Sequence, residues 1–204
     1  MIIHEMPQLS DEWFAVKCGK ISASNMSAVL AKGRGNSESK TRKSYMCRLI
    51  AERLSGMPQE TYTNGSMQWG IETEPQAREA YEMAKLDTVK QVGFIEVNEY
   101  LGCSPDGLVG EDGLLEVKCP NTSTHIQYIL DGKMPAEYVL QVQTQLWVCE
   151  RQWCDFVSFD PRVTVRPFWC IRVERDEKKI QDISDGVDAF VEEMETLIAK
   201  IKEK

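Results

Sequence analysis

A mixed α/β fold, with a small central sheet flanked by helices, follows from three features of the sequence. The middle of the chain carries short apolar segments with strand-like patterning at 92–97, 101–104, 107–109 and 114–119. Helical periodicities flank that run, at about 40–55 and 70–86 before it and 137–149 after it. Two more strand-like segments, 154–159 and 168–174, precede a long closing amphipathic pattern. Helices, a run of strands, a helix, more strands and a helix pack most simply as helices around one mixed sheet.

Each element has its own justification. Ser22-Ala23-Ser24 precedes a short helical pattern with Met26, Val29 and Leu30, and Ser22 or Ser24 is the expected N-cap. Residues 33–37 read as a basic loop. The 40–55 helix buries Tyr45, Leu49, Ile50 and Leu54 and stops at Gly56-Met57-Pro58. In the 70–86 helix, Ala77, Arg78 and Tyr81 follow Glu74 at i+3, i+4 and i+7. Tyr81 with Ala77, Ala80 and Ala84 forms its inward stripe, so Glu74 is expected to point inward. Gly110-Glu111-Asp112-Gly113 is a tight turn that folds the Asp106 strand back beside the Glu116 strand. The 137–149 helix carries Gln141 and Gln145 one turn apart beside Val142, Leu146 and Trp147. Asp160-Pro161-Arg162 joins the last two strands. The closing helix buries Ile180, Ile183, Val187, Phe190, Val191, Met194, Leu197, Ile198 and Ile201.

A length of 204 residues fits one domain, 1–204, with a real core. Hydrophobic content of 42% and charged content of 27% are those of a soluble globular protein, and no apolar run spans a membrane. The first residues lack the basic start and long apolar core of a secretory signal. Seven cysteines, odd in number and without CxxC pairs, read as reduced thiols rather than a disulfide framework or zinc site. A cytoplasmic location is therefore expected. The net charge of −8 excludes a uniformly basic nucleic-acid binder, yet it is unevenly spread. Between Lys32 and Arg48 six cations face the single acid Glu38, a local +5 that leaves −13 for the remainder. One basic lining and an acidic exterior fit that asymmetry; a solvated helix face fits it too.

The hairpin carries the chemistry. Residues i and i+2 of a strand share a face, so Glu116 and Lys118 project together while Leu115, Val117 and Cys119 face the other way. With Asp106 folded alongside, two carboxylates and an ammonium converge. Paired carboxylates suit a hard cation such as Mg²⁺, and a neighbouring lysine can orient or deprotonate an attacking water. The D-x9-E-x-K pattern alone is equally a surface hairpin in which Lys118 offsets both acids. Glu74, read alone, is either a metal or basic-group partner or a helix N-terminal acid favoured by the macrodipole. Gln141 and Gln145, read alone, more often satisfy backbone groups.

Ordered matches along most of the chain resemble the phage λ exonuclease family of recombination nucleases, the YqaJ-type viral recombinases of the PD-(D/E)xK superfamily. They run from Trp13 through Lys17-Cys18-Gly19-Lys20-Ile21-Ser22-Ala23-Ser24 to Trp69-Gly70, Glu74 and Ala77-Arg78. They continue through Cys103-Ser104-Pro105-Asp106-Gly107-Leu108, Glu116-Val117-Lys118-Cys119-Pro120 and Gln141-Val142-Gln143 with Trp147-Val148. Asp160-Pro161-Arg162 and Val173-Glu174-Arg175-Asp176-Glu177-Lys178 complete them. The resemblance implies a restriction-endonuclease-like core. It implies that Asp106, Glu116 and the Val117 backbone carbonyl bind catalytic Mg²⁺, that Lys118 positions or activates the water, that Glu74 is a further acidic ligand, and that Gln141 supports the site. Two Mg²⁺ per site are implied, with Mn²⁺ as a substitute.

The implied activity is processive 5′→3′ digestion of double-stranded DNA from a free end, releasing mononucleotides and leaving 3′ tails for single-strand annealing. Lys17 stands where the family usually has a phosphate-binding arginine, and Ser24 and Ser104 match that pocket's hydroxyl donors. The family forms a homotrimeric ring and works with a single-strand annealing protein. In such a ring the basic segment with Arg34, Lys40, Arg42 and Lys43 would face the DNA phosphates. Met46, Leu49 or a neighbour would supply the strand-separating wedge. A PD-(D/E)xK endonuclease and a non-catalytic DNA-end-binding subunit are the alternatives; an endonuclease would cut circular duplex, and the intact Asp106, Glu116 and Lys118 speak against the second.

Overall fold

The computed structural model describes residues 1–33, 35, 38–59 and 64–203. The chain begins with β1 (Ile2–His4), α1 (Asp11–Lys17) and β2 (Ile21–Ser22). A 3₁₀ turn (Ala23–Asn25) leads into α2 (Met26–Val29), followed by α3 (Lys40–Ser55) and α4 (Gly65–Lys85). Five strands come next: β3 (Val89–Lys90), β4 (Phe94–Glu96), β5 (Leu101–Cys103), β6 (Gly107–Val109) and β7 (Gly113–Lys118). Then come α5 (Thr122–Asp131), α6 (Val139–Val148), β8 (Trp153–Phe159), β9 (Phe168–Glu174) and α7 (Glu177–Lys202).

The mixed α/β architecture matches the expectation, but the strands divide over two sheets where one is predicted. One has the order β1-β4-β5-β2, the other β3-β6-β7-β8-β9. The chain passes from the larger sheet to the smaller between β3 and β4 and returns at Ser104-Pro105-Asp106, between β5 and β6, where Pro105 has no amide to give a ladder. Within the larger sheet β7 and β8 run parallel, and their crossover is α5 and α6. That crossover brings α6 back over the sheet beside the hairpin.

Strand alternation sorts β7 between two cores. Leu114 joins the main core with Met26, Leu49, Val142, Leu146, Phe190 and Met194, between the sheets and helices α2, α3, α6 and α7. Leu115 and Val117 face the opposite way, against Ala77 and Tyr81 of α4. A third cluster, Tyr128, Phe156 and Trp169, seats α5. Glu116 lies on the α6 side of β7, fully buried.

Several elements are not predicted, each for a local reason. Helix α1 spans only seven residues, and Ser10 caps it by accepting from the Trp13 amide at 3.2 Å. Helix α5 opens on Thr122-Ser123-Thr124, residues that compete for backbone bonds. The Asn121 cap, accepting from the Thr124 amide at 2.9 Å, and a left-handed Gly132 at its end define it nonetheless. Helix α4 begins at Gly65, earlier than predicted, because Asn64 caps it. Strands β1, β2 and β3 are two or three residues long, too short to show a period. Neither Ser22 nor Ser24 caps through its side chain; Ser22 Oγ instead accepts from Asn25 Nδ2 at 2.8 Å. Leu54 and Ile201, predicted buried, are 43% and 50% exposed because the last turns of α3 and α7 run past the core. Met46 and Leu49 are corrected as wedge candidates: both are buried in the main core and cannot reach a base pair.

Two buried acids brace the larger sheet. Asp155 on β8 accepts from Tyr81 Oη at 2.9 Å and from Arg172 Nε at 2.9 Å, and Arg172 stacks on Trp153. Asp160 accepts from Thr122 Oγ1 and Arg162 Nε, each at 2.7 Å. Burial alone would raise the Asp160 carboxyl, but hydrogen bonds from Arg162 and Thr122 outweigh it and hold it down at about 2. A carboxyl depressed in the folded state stabilises fully above its unfolded value of about 3.9 and loses that contribution as pH falls toward 2. Asp160→Asn is therefore expected to flatten the acid limb of a urea-midpoint curve between about pH 4 and 2. An unchanged limb would contradict this role.

Candidate active site

The β6–β7 hairpin forms as the sequence predicts. Gly107 pairs with Leu115, Leu108 with Leu114 and Val109 with Gly113. Gly110 holds the turn at φ 52°, a left-handed conformation that favours glycine. Asp106 immediately precedes β6, and its Oδ2 accepts from the Val117 amide at 2.6 Å. One hydrogen bond thus locks the first acid against the strand that carries the second.

Glu116 is held on both oxygens. Gln141 Nε2 donates to Oε1 at 2.5 Å and Gln145 Nε2 to Oε2 at 2.7 Å. The two glutamines lie one turn apart on α6, which sets their amides side by side. Lys118 Nζ lies 2.6 Å from Glu116 Oε1 and 5.0 Å from the Tyr138 ring centroid. Glu74 reaches the site from α4, where its Oε1 accepts from Arg78 Nη1 at 3.0 Å; the same guanidinium nitrogen donates to the Asp106 carbonyl at 3.0 Å. A cavity of about 530 Å³ joins Glu74, Val117 and Lys118 and is walled by Ile71, Cys119 and Tyr138.

Three carboxyls therefore face two cations. Burial, then the charges of Glu116 and Glu74, push the Asp106 carboxyl well above the usual range, with Lys118 and the Val117 amide acting against them. For Lys118, burial acts to lower the pKa, but Glu116 and Asp106 outweigh it and keep the side chain an ammonium. Burial, with Glu74 and Asp106, pushes the Cys119 thiol up to about 12, so it stands as a neutral wall.

Among the described residues no three His, Cys, Asp or Glu side chains are set together as a metal cluster. A magnesium site does not require one, since Mg²⁺ keeps several waters and takes one or two carboxylates. Asp106 and Glu116 bring hard carboxylate oxygens and a surplus of negative charge to the hairpin, donor chemistry that suits such an ion.

The expected phosphate pocket is brought together in part. Trp13 Nε1 donates to Ser104 Oγ at 2.9 Å, and the Lys17 ammonium lies over the same indole, 3.4 Å from the ring centroid. Trp13 thus joins Lys17 to the strand end that carries Asp106. Ser24 is exposed and bonded to Ser22 rather than to either partner. Of the basic segment, Arg34 lies outside the described residues. Lys40 is exposed, and Lys43 is exposed in a solvent-screened surface pair with Glu38. Arg42 departs from the expected DNA-facing role. Its guanidinium pairs with Glu193 at 2.5 Å, bonds the Val29 carbonyl and lies 4.9 Å from the Phe190 ring centroid, tying α3 to α7.

Gln145 and Arg78 also stand in the site, although the sequence alone does not single them out for it. For Gln145 the signal was the i, i+4 spacing from Gln141. For Arg78 it was the same spacing from Glu74.

The family of YqaJ-like viral recombinase domains matches residues 12–152. The chain belongs to that family. Across 95% of its length this recombinase-family chain superposes on 97% of LHK-Exo, an alkaline exonuclease from Laribacter hongkongensis, at 43% identity and a TM-score of 0.87. LHK-Exo has also been solved in complex with dAMP. A phage-related exonuclease from Haemophilus somnus 129PT, 19% identical, shares the fold of the YqaJ-like chain at a TM-score of 0.70, over 89% of this chain and 96% of that one. ExoD of Escherichia coli (strain K12) is 31% identical over 64 residues, which are 31% of this chain and 74% of ExoD. Expected membership of the λ exonuclease family holds, and with it the mixed α/β fold. No helix among the described residues is long and apolar enough to cross a membrane.

Proposed function

We propose that this protein is a Mg²⁺-dependent exonuclease that enters double-stranded DNA at a free end and digests one strand 5′→3′, releasing mononucleotides and leaving a 3′ tail for annealing. The observation that carries the reading is the hairpin that sets Asp106, Glu116 and Lys118 at one point, with Glu116 held by two glutamines. Kinship with an alkaline exonuclease at 43% identity supports it. A homotrimeric ring and an annealing-protein partner belong to the same reading, as the family resemblance implies.

Asp106, Glu116 and the Val117 carbonyl would hold the cation, with Glu74 toward a second one. When bound, such ions neutralise the scissile phosphate and acidify water. Gln141 and Gln145 fix the Glu116 carboxylate in one rotamer, so its position is set before substrate arrives. Lys118, an ammonium beside Glu116, orients the attacking water and offsets charge building on the phosphate oxygens. Mn²⁺ would serve in place of Mg²⁺.

Linear duplex labelled at the 5′ end of one strand or at its 3′ end tests the direction. Early release of the 5′ label as a mononucleotide is expected. Early release of the 3′ label would overturn it.

A further inference from the structure

A cavity beside the first turns of α3 holds charge that the proposed chemistry leaves unused. It is an open, shallow depression of about 510 Å³ lined by Asn25, Lys40, Thr41, Ser44, Tyr45 and Arg48. Arg48 Nε is buried without a hydrogen-bond partner, and the guanidinium lies 4.9 Å from the Tyr45 ring centroid. A buried donor left without an acceptor is costly, which marks this one as waiting for a ligand.

Lys40 is exposed at the rim of this depression, and Lys17, outside the lining, approaches Arg48 from the α1 side, where the Gly19 amide meets Glu52 one turn along α3 from Arg48. Among the described residues neither Lys17 nor Arg48 has an ion pair, and the Lys17 ammonium meets only the Trp13 face. Burial, and then the charge of Arg48, push Lys17 down to about 8 against the opposing pull of Glu52. Glu52 is the acid at hand, yet its oxygens already accept from the Gly19 amide at 2.8 Å and the Gln59 amide at 3.3 Å. Two like charges with unspent donors are unfavourable neighbours unless an anion comes between them.

Neutral donors complete the surroundings. The Ser22 amide donates to Tyr45 Oη at 3.2 Å, Asn25 Nδ2 to Ser22 Oγ at 2.8 Å, and Ser24 Oγ lies 3.2 Å from Ser22 Oγ. This chain of contacts links the serine turn to the ring on which Arg48 stacks.

We propose that Arg48 is the second cation of a terminal-phosphate site, closing with Lys17 on the 5′-phosphate monoester of a DNA end. Lys17 alone is a point charge that reads no geometry. Arg48 adds the planar fork that grips two phosphate oxygens at once. The assignment rests on the 5′-end reading above and names the residue that makes the end recognisable.

The test compares wild type, Arg48→Gln and Arg48→Lys on linear duplex bearing a 5′-phosphate or a 5′-hydroxyl, with the ratio of the two initial rates as the readout. A general loss of folding lowers both rates and leaves the ratio unchanged. Wild type is expected to favour the phosphorylated end, Arg48→Gln to reduce that preference about 10- to 100-fold, and Arg48→Lys to fall between them. Arg48→Gln with the wild-type ratio would overturn the assignment, as would a wild type that digests from the 5′ end with no phosphate preference. Digestion from the 3′ end would instead sink the 5′-end reading, and this inference with it.

Discussion

Asp106→Asn is expected to lower the rate of DNA digestion by at least about 10³-fold while leaving the folded protein as stable as before, or more so. Asn keeps an oxygen for the Val117 amide, so the 2.6 Å contact between the hairpin strands survives. What disappears is one of three mutually repelling carboxyls, whose protonation is already favoured by burial and by Glu116 and Glu74. Thermal melts separate the two effects. Without metal the variant should melt at or above the wild-type temperature. With Mg²⁺ the wild type should gain stability by ligand linkage and the variant should not. A variant that still digests DNA near the wild-type rate, or still gains stability from Mg²⁺, would remove Asp106 from the metal site.

Lys118→Met separates the water from the cation. Methionine fills the volume of the lysine stem but removes the ammonium 2.6 Å from Glu116. Glu116 keeps its Gln141 and Gln145 donors, and the site as a whole becomes more negative. Divalent-cation affinity is thus expected to hold or rise, since a repelling charge has gone. The hydrolytic step, measured under single-turnover conditions, should slow by about 10²- to 10³-fold, the range for losing one preorganised donor to developing transition-state charge. A variant that digests DNA normally, or that loses its cation along with its activity, would contradict the division of labour between Lys118 and the acids.

The hairpin was legible because strand alternation is local: Glu116 and Lys118 share a face whatever packs above them. The same holds for the long elements. Helix α3 starts and stops at the predicted residues, and the buried stripe of α7 follows its period down to Ile198. Legibility ended where a side chain's role depended on what the fold brings near. Gln145 differs from any glutamine on a half-buried helix only because β7 lies under α6. Arg42 looked like a DNA-facing cation until Glu193, 151 residues away, took its charge. Arg48 counted as one charge among six, and its lack of an acceptor is visible only once Tyr45, Lys17 and the serine turn are assembled around it. The division into two sheets belongs to the same class, since strand patterning does not say which strands share a ladder.

The most direct measurement places linear and covalently closed circular duplex in one reaction and follows both with Mg²⁺ and with EDTA. The metal-dependent, end-entering nuclease predicted from Asp106, Glu116 and Lys118 should consume the linear DNA only when Mg²⁺ is present and leave the circle intact throughout. Cleavage of the circle, or loss of linear DNA in EDTA, would contradict it.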